Sequence, residues 1–322
     1  MEVDNIVKPL NSLSLNSKLN GNQTIIDQIS ISGNLTDLKS WFNSKSELKY
    51  TYRAIDFASA NGHVEILKCW FDSGLELKYT FRAIDLASEN GHVEILKYWF
   101  DSGLKLKYTD RAIDWACLKG HLEILKCWFD SGLELKYTES AIDYLNNNSR
   151  LEILKWWFNS GLKLKYTEMA IDDASIGHSL DILNLWLNSG LELKYSIQAL
   201  DNCMIKSDIL EWWINSKLPL KYTENTIDFA SMSGNFSALN AWLKSGLELK
   251  YTKNAIIWAS MSGHIPVLDW WLKSGLELKY TKNTIINKPK YYNTDVLKWW
   301  KDFGLEIIID DDIIIPSNLE SS

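Results

Sequence analysis

The chain is poor in the residues that staple, kink or charge a protein strongly. Four cysteines in 322 residues, with no CxxC pair, cannot make a disulfide framework. Cys69 and Cys127 occupy equivalent places two repeats apart, and stacked helical layers about 10 Å apart put them beyond the ~7 Å Cα limit for a bridge. The four thiols are expected to be free and at least partly buried. Basic residues are outnumbered by acidic ones and the formal charge is -7, which excludes a nucleic-acid binder that works through a broad basic field. No run approaches the ~20 apolar residues of a membrane helix. The N-terminal segment lacks the charged-then-apolar design of a secretory signal. Those absences lead to the expectation of an intracellular, cytoplasmic protein with no membrane or nucleic-acid partner.

Catalytic signatures are missing too. There is no G-x-x-x-x-G-K-[ST] loop, no G-x-G-x-x-G after a strand and no G-x-S-x-G elbow. Of five histidines, His63, His92 and His121 recur at one constant interval. A ladder with about 10 Å between layers cannot gather ligands within ~2.1 Å of one zinc ion. The chain is therefore expected to be no enzyme, with no metal, cofactor or small-molecule substrate.

What is abundant is tryptophan, sixteen in all, and its placement reveals a repeat. Tyr-Thr or Tyr-Ser begins at Tyr50, Tyr79, Tyr108, Tyr137, Tyr166, Tyr195, Tyr222, Tyr251 and Tyr280, in steps of 29 apart from one of 27. Trp41 stands one full period before Trp70 and marks a degenerate earlier copy. Ten repeats then run over residues 21–307, between an N-terminal cap segment (1–20) and an acidic tail (308–322).

One repeat reads YTYRAIDFASANGHVEILKCWFDSGLELK, residues 50–78. Thr51 is an N-cap residue for a first helix over about 52–60. Ala54, Ile55, Ala58 and Ser59 share its inner face, while Arg53, Asp56, Phe57 and Ala60 point the other way on a helical wheel. Asn61-Gly62 turns the chain. A second helix over about 63–73 carries Val64, Ile66, Leu67, Trp70 and Phe71 on one stripe, and Gly74 suits a left-handed stop. Leu75–Tyr79 alternates and reads as an extended return. No repeat can bury its apolar face alone, so the repeats must stack, with the recurrent tryptophans as a core ladder between layers.

AIDFASANGHVEILKCWFDSGLEL resembles the ankyrin repeat, and the resemblance covers about nine-tenths of the chain. It implies an all-α, ankyrin-like helical solenoid of about ten helix-turn-helix repeats. Each copy is shorter than the usual ankyrin unit, and the missing part falls where the β-hairpin finger projects, so fingers should be short or absent. Asp56, Asp85, Asp114, Asp143, Asp172, Asp201 and Asp228 stand in register with the family's histidine, and the resemblance suggests that they hold neighbouring repeats together by hydrogen bonds. Other copies drift: Asn147–Arg150 replace the Gly-His turn, Gly177-His178 is displaced by one place, Lys217 replaces a stop glycine, and Pro266 opens a second helix, where it loses no helical bond.

The resemblance also implies a protein partner bound on the concave first-helix face, by a chain acting as a monomer. Candidate contact residues there are Tyr52, Arg53, Phe57, Phe81, Arg82, Arg111, Trp115, Tyr144, Met232, Trp258 and Met261. Arginine beside exposed aromatics is the composition of interface hot spots. The plainer alternative is that the arginines are a solvated face copied by duplication and that the aromatics pack between layers. Glu139, Glu168 and Glu224 make the centre acidic before Lys253 and Lys282. Two further readings of the same array are a substrate-selecting adaptor for a ubiquitin ligase and a host-interaction effector. The Ile, Asn and Lys richness with short repeats resembles arrays of amoebae, fungi and giant viruses.

Overall fold

The computed structural model describes residues 24–44, 49–177, 179–201, 207–280 and 294–304. The proposed cap (1–20) and tail (308–322) lie outside the described residues, as do Asn202, His178, Lys282 and Asn283. All regular structure among the described residues is helical, arranged as pairs such as Tyr52–Ala60 with Val64–Asp72, Arg82–Glu89 with Val93–Phe100, and Arg111–Lys119 with Leu122–Asp130. The chain divides into two compact bodies, Met1–Ala141 and Ile142–Ser322.

Local chemistry sets the helix ends. The Thr51 hydroxyl accepts the Arg53 amide at 3.2 Å, and the same contact recurs from Thr80 to Arg82 and from Thr109 to Arg111. In the first copy Thr24 and Asp27 form a reciprocal capping box. Gly74 adopts φ +69°, the left-handed stop expected of it, and Lys217 takes φ +59° in the place of that glycine. Pro266 lies in the first turn of the helix Ile265–Lys273, as expected.

Burial follows the wheel with one correction. Ala54, Ile55, Ala58 and Ser59 are fully buried, but so are Asp56 and, nearly, Ala60, which were expected to face away. A wheel drawn on one helix omits the next repeat, which covers this side. The Thr80 amide and hydroxyl donate to the two oxygens of Asp56 at 2.8 and 2.5 Å. Each later aspartate of the register takes the same pair of bonds from the Thr or Ser that caps the following repeat. Asp27 belongs to the series as well, and receives Thr51.

The tryptophan ladder is core, as expected: Trp70, Trp99 and Trp128 are wholly buried, and so are their counterparts in the second body. Most of these indoles are also cross-repeat donors. Trp70 reaches the Ser30 hydroxyl, Trp99 reaches Ser59 and Trp128 reaches Ser88. In the second body Trp213, Trp271 and Trp300 reach Ser175, Ser231 and Ser260.

The returns form no strand among the described residues, so the missing finger is not rebuilt as a hairpin. A side-chain ladder ties them instead. The Tyr50 ring packs on Trp70 at 4.7 Å, its hydroxyl donates to the Glu76 carbonyl of the next return, and the Lys78 ammonium sits over its face at 4.6 Å. The same set repeats at Tyr79, with the Lys105 carbonyl and the Lys107 ammonium.

The Gly-His turns lock layer to layer. The His63 ring covers Gly33, whose added Cβ would lie 2.7 Å from it, and its Nε2 contacts the Ile31 carbonyl at 3.0 Å. In the sixth repeat Ser179 stands before the helix Leu180–Leu187, and its hydroxyl donates to the Asn146 carbonyl at 2.9 Å. The fifth repeat departs from this pattern: its first helix is Ser140–Asp143, followed by a 3-10 turn at Asn148–Arg150.

Candidate protein-binding surface

The candidate contact residues fall on the first helices, and each body carries its own set. In the first body, Tyr52–Ala60 packs on Arg82–Glu89, which packs on Arg111–Lys119. Tyr52, Phe81 and Trp115 are 40%, 41% and 37% exposed. Arg82 and Arg111 are exposed, and Arg53 is half-buried. Phe57 is half-buried as well, which gives it a share in packing between layers.

Beneath the arginines lies the aspartate ladder. Burial pushes the Asp56 carboxyl above its usual range; the two bonds from Thr80 and the nearby charges of Arg82 and Lys107 act in the opposite sense. Asp85 is raised for the same reason, with Thr109 and Arg111 opposing. Arg82 and Arg111 therefore help to tolerate Asp56 and Asp85 without being tied to them: none of the ion pairs among the described residues uses Arg53, Arg82 or Arg111. The pairs present join Lys68 to Glu65, Lys97 to Glu94, Lys126 to Glu123 and Lys155 to Glu152 on second helices.

In the second body, Tyr144 is exposed and its carbonyl accepts from Arg150. Further along, Trp258 stacks on Phe229 with ring centroids 5.7 Å apart and planes 11° from parallel. Met232 and Met261 stand exposed at the ends of the same two helices, Asn225–Met232 and Asn254–Met261. Phe229 was not singled out by sequence. Its signal was present, because it holds the register position of Phe57 and Trp258 follows it by one period. Met169, Ile176 and Ile197 are exposed in this body too.

The described residues contain no group of three or more His, Cys, Asp or Glu side chains that could hold a metal ion. Cys69, Cys117 and Cys127 are in no disulfide, as expected, and Cys203 lies outside the described residues. Burial raises the thiol pKa of Cys69 and Cys127, which makes them poor nucleophiles. No helix among the described residues is long and apolar enough to cross a membrane.

The family model for ankyrin repeats (many copies) matches residues 84–127, the segment in which the Gly-His turn, the aspartate register and the buried tryptophan all coincide. The chain contains ankyrin repeats. Its fold is similar to the ankyrin repeat domain of human ASB11, with 17% identity, a TM-score of 0.50, and coverage of 61% of this chain and 99% of that one. An ankyrin repeat domain from Acinetobacter baumannii aligns at 17% identity and a TM-score of 0.42, over 52% of this chain and 98% of that one. At these identities the ASB11 likeness concerns the fold alone. No curated protein matches the sequence. Ankyrin repeats are generally protein–protein interaction modules, and ankyrin-repeat proteins are typically binding scaffolds without enzymatic activity.

Proposed function

We propose that this ankyrin-repeat protein is a scaffold that binds a partner protein on its first-helix face. The observation that carries the reading is the combination in the first body of exposed Tyr52, Phe81 and Trp115 with arginines that no ion pair among the described residues engages. Exposed aromatics that remain rigid lose little entropy on binding, and arginine donors supply orientation. The Phe229–Trp258 stack with Met232 and Met261 is a second contact region, in the second body. The partner is a protein, bound by a monomeric chain. An adaptor or host-directed role would need recruiting segments beyond the array.

The test is affinity capture with the full chain, a face variant (Arg53→Glu, Arg82→Glu, Arg111→Glu) and a control that swaps an exposed second-helix pair (Glu65→Lys, Lys68→Glu). Circular dichroism checks that all three are folded. The reading expects a partner lost by the face variant and retained by the control. A partner lost only by the control would move binding to the second helices and overturn the assignment.

A further inference from the structure

The arginine ladder has a period, and a period selects the geometry of a ligand. Arg53, Arg82 and Arg111 hold one position on the first helices of three successive repeats, and packed helices of this kind lie with axes about 8–10 Å apart. The guanidiniums do not spend their donors inward. Asp56 and Asp85, which feel the charges of Arg82 and Arg111, each already take two bonds from Thr80 and Thr109. Each layer also offers apolar surface near its cation: Tyr52 beside Arg53, Phe81 beside Arg82, and Trp115 one turn beyond Arg111.

A partner that answers every layer needs carboxylates about 8–10 Å apart on one side of its chain. A β-strand cannot provide that spacing. Its residues on one side recur every second position, about 7 Å apart, or every fourth, about 13 Å apart. A polyproline II chain has three residues per turn and rises about 3.1 Å per residue, so every third side chain returns to the same side about 9 Å further on. Such chains also dock their prolines against aromatic side chains.

We infer that the first-helix face of the first body binds an extended acidic peptide segment in the polyproline II form, with a carboxylate side chain at every third position and proline or apolar residues between. The inference rests on the first-helix reading above and adds the chemistry and spacing of what is bound. Asp110 stands in the third layer where the first two have Tyr52 and Phe81. It repels a carboxylate placed over it and helps to set the register.

The test is fluorescence anisotropy of the full chain with labelled synthetic peptides of equal length and charge. Each carries three glutamates in neutral flanks: one as three successive Glu-Pro-Ala triplets, so that its charges fall at every third position; others with the glutamates at every second or every fourth position; a fourth is a helical peptide with glutamates at every seventh. The triplet peptide is expected to bind at least tenfold more tightly than the others, to weaken with added salt, and to lose at least tenfold on the folded triple variant R53E/R82E/R111E. Should that variant fail to fold, the triple Arg→Gln variant replaces it with the same expectation. Equal affinity at all spacings, no binding, indifference to the arginine changes, or tighter binding of the heptad peptide would each overturn the inference. A captured partner that depends on the arginines but is not displaced by the triplet peptide would sink the spacing and leave the scaffold reading standing.

Discussion

Trp99 donates its indole N–H to the Ser59 hydroxyl, 3.1 Å away and well over one repeat earlier in the chain. Both groups are fully buried, so here, as at most of the ladder, one repeat satisfies the polar atom of the next one's largest side chain. The coupling between layers is thus partly directional, in addition to the non-directional burial of apolar surface.

Two indole N–H groups of the series, those of Trp41 and Trp242, are buried without a partner. Trp242 is buried with an unpartnered indole N–H, and in the repeat register Met204 stands where Ser59 stands earlier. Trp→Phe at both sites removes similar volume, but only Trp99→Phe also breaks a hydrogen bond, while Trp242→Phe removes an orphan donor. Trp99→Phe should therefore cost about 1–3 kcal/mol more than Trp242→Phe, measured by urea unfolding. Equal costs would mean that the serine bonds contribute nothing.

Asp56 faces two donors and no solvent. Asp56→Ala strands the Thr80 amide and should destabilise by about 1–3 kcal/mol; Asp56→Asn keeps an acceptor there and should cost less. The pH dependence has a definite sign. Burial raises the folded-state pKa of Asp56 above its unfolded value, so its contribution is fully present below the unfolded pKa and is lost as pH rises through the folded one. The Asn variant, which carries no desolvated charge, should compare best with the parent near pH 7 and fall behind towards pH 4. Unfolding at the two pH values checks this, and a difference that grows the other way would contradict it.

Two glycines with nearly the same backbone should respond differently. At Gly74, φ is +69° and an added Cβ meets no atom within 4 Å, so Gly74→Ala should cost only the left-handed backbone penalty of about 1–2 kcal/mol. At Gly62, φ is +74° and the Cβ would come within 2.7 Å of the His92 ring. Gly62→Ala should cost measurably more in the same assay, and a Gly62→Ala, His92→Ala double variant should recover part of the excess.

The period, the threonine caps, the glycine stops and the buried tryptophans were all legible in the sequence, because each is a property of one repeat read along its own helix. Of the bonds between repeats only those of the aspartates were anticipated, and those from the family resemblance and not from the helix itself; the others were not. Ser59 on an inner face reads as a small packing residue, and nothing local says that an indole from the next repeat's second helix will arrive on it. Asp56 was placed on the wrong side because Thr80, which covers it, belongs to the next repeat. The Lys78–Tyr50 contact was missed for the same reason, since it joins opposite ends of a repeat and depends on how two returns lie together. On the candidate surface the exposure of Tyr52, Phe81 and Trp115 could be inferred from their helix positions, whereas the Phe229–Trp258 stack needed the packing of two helices.

The fifth repeat should open first. Its first helix, Ser140–Asp143, is less than half the length of Tyr52–Ala60 in the second repeat, and few backbone bonds hold the segment that follows, which makes it a low-stability element. Limited proteolysis of the folded chain should make its first cut within the array between Tyr144 and Arg150. A first cut between Tyr52 and Asp130 would contradict this.

The most direct test of the scaffold claim is hydroxyl-radical footprinting of the chain, alone and with its captured partner. The account predicts protection of Tyr52, Phe81 and Trp115, with Trp258, Met232 and Met261 protected as well if the second contact region is engaged. Protection confined to second-helix side chains such as Phe236 and Leu243, with Tyr52, Phe81 and Trp115 as reactive as in the free chain, would contradict it.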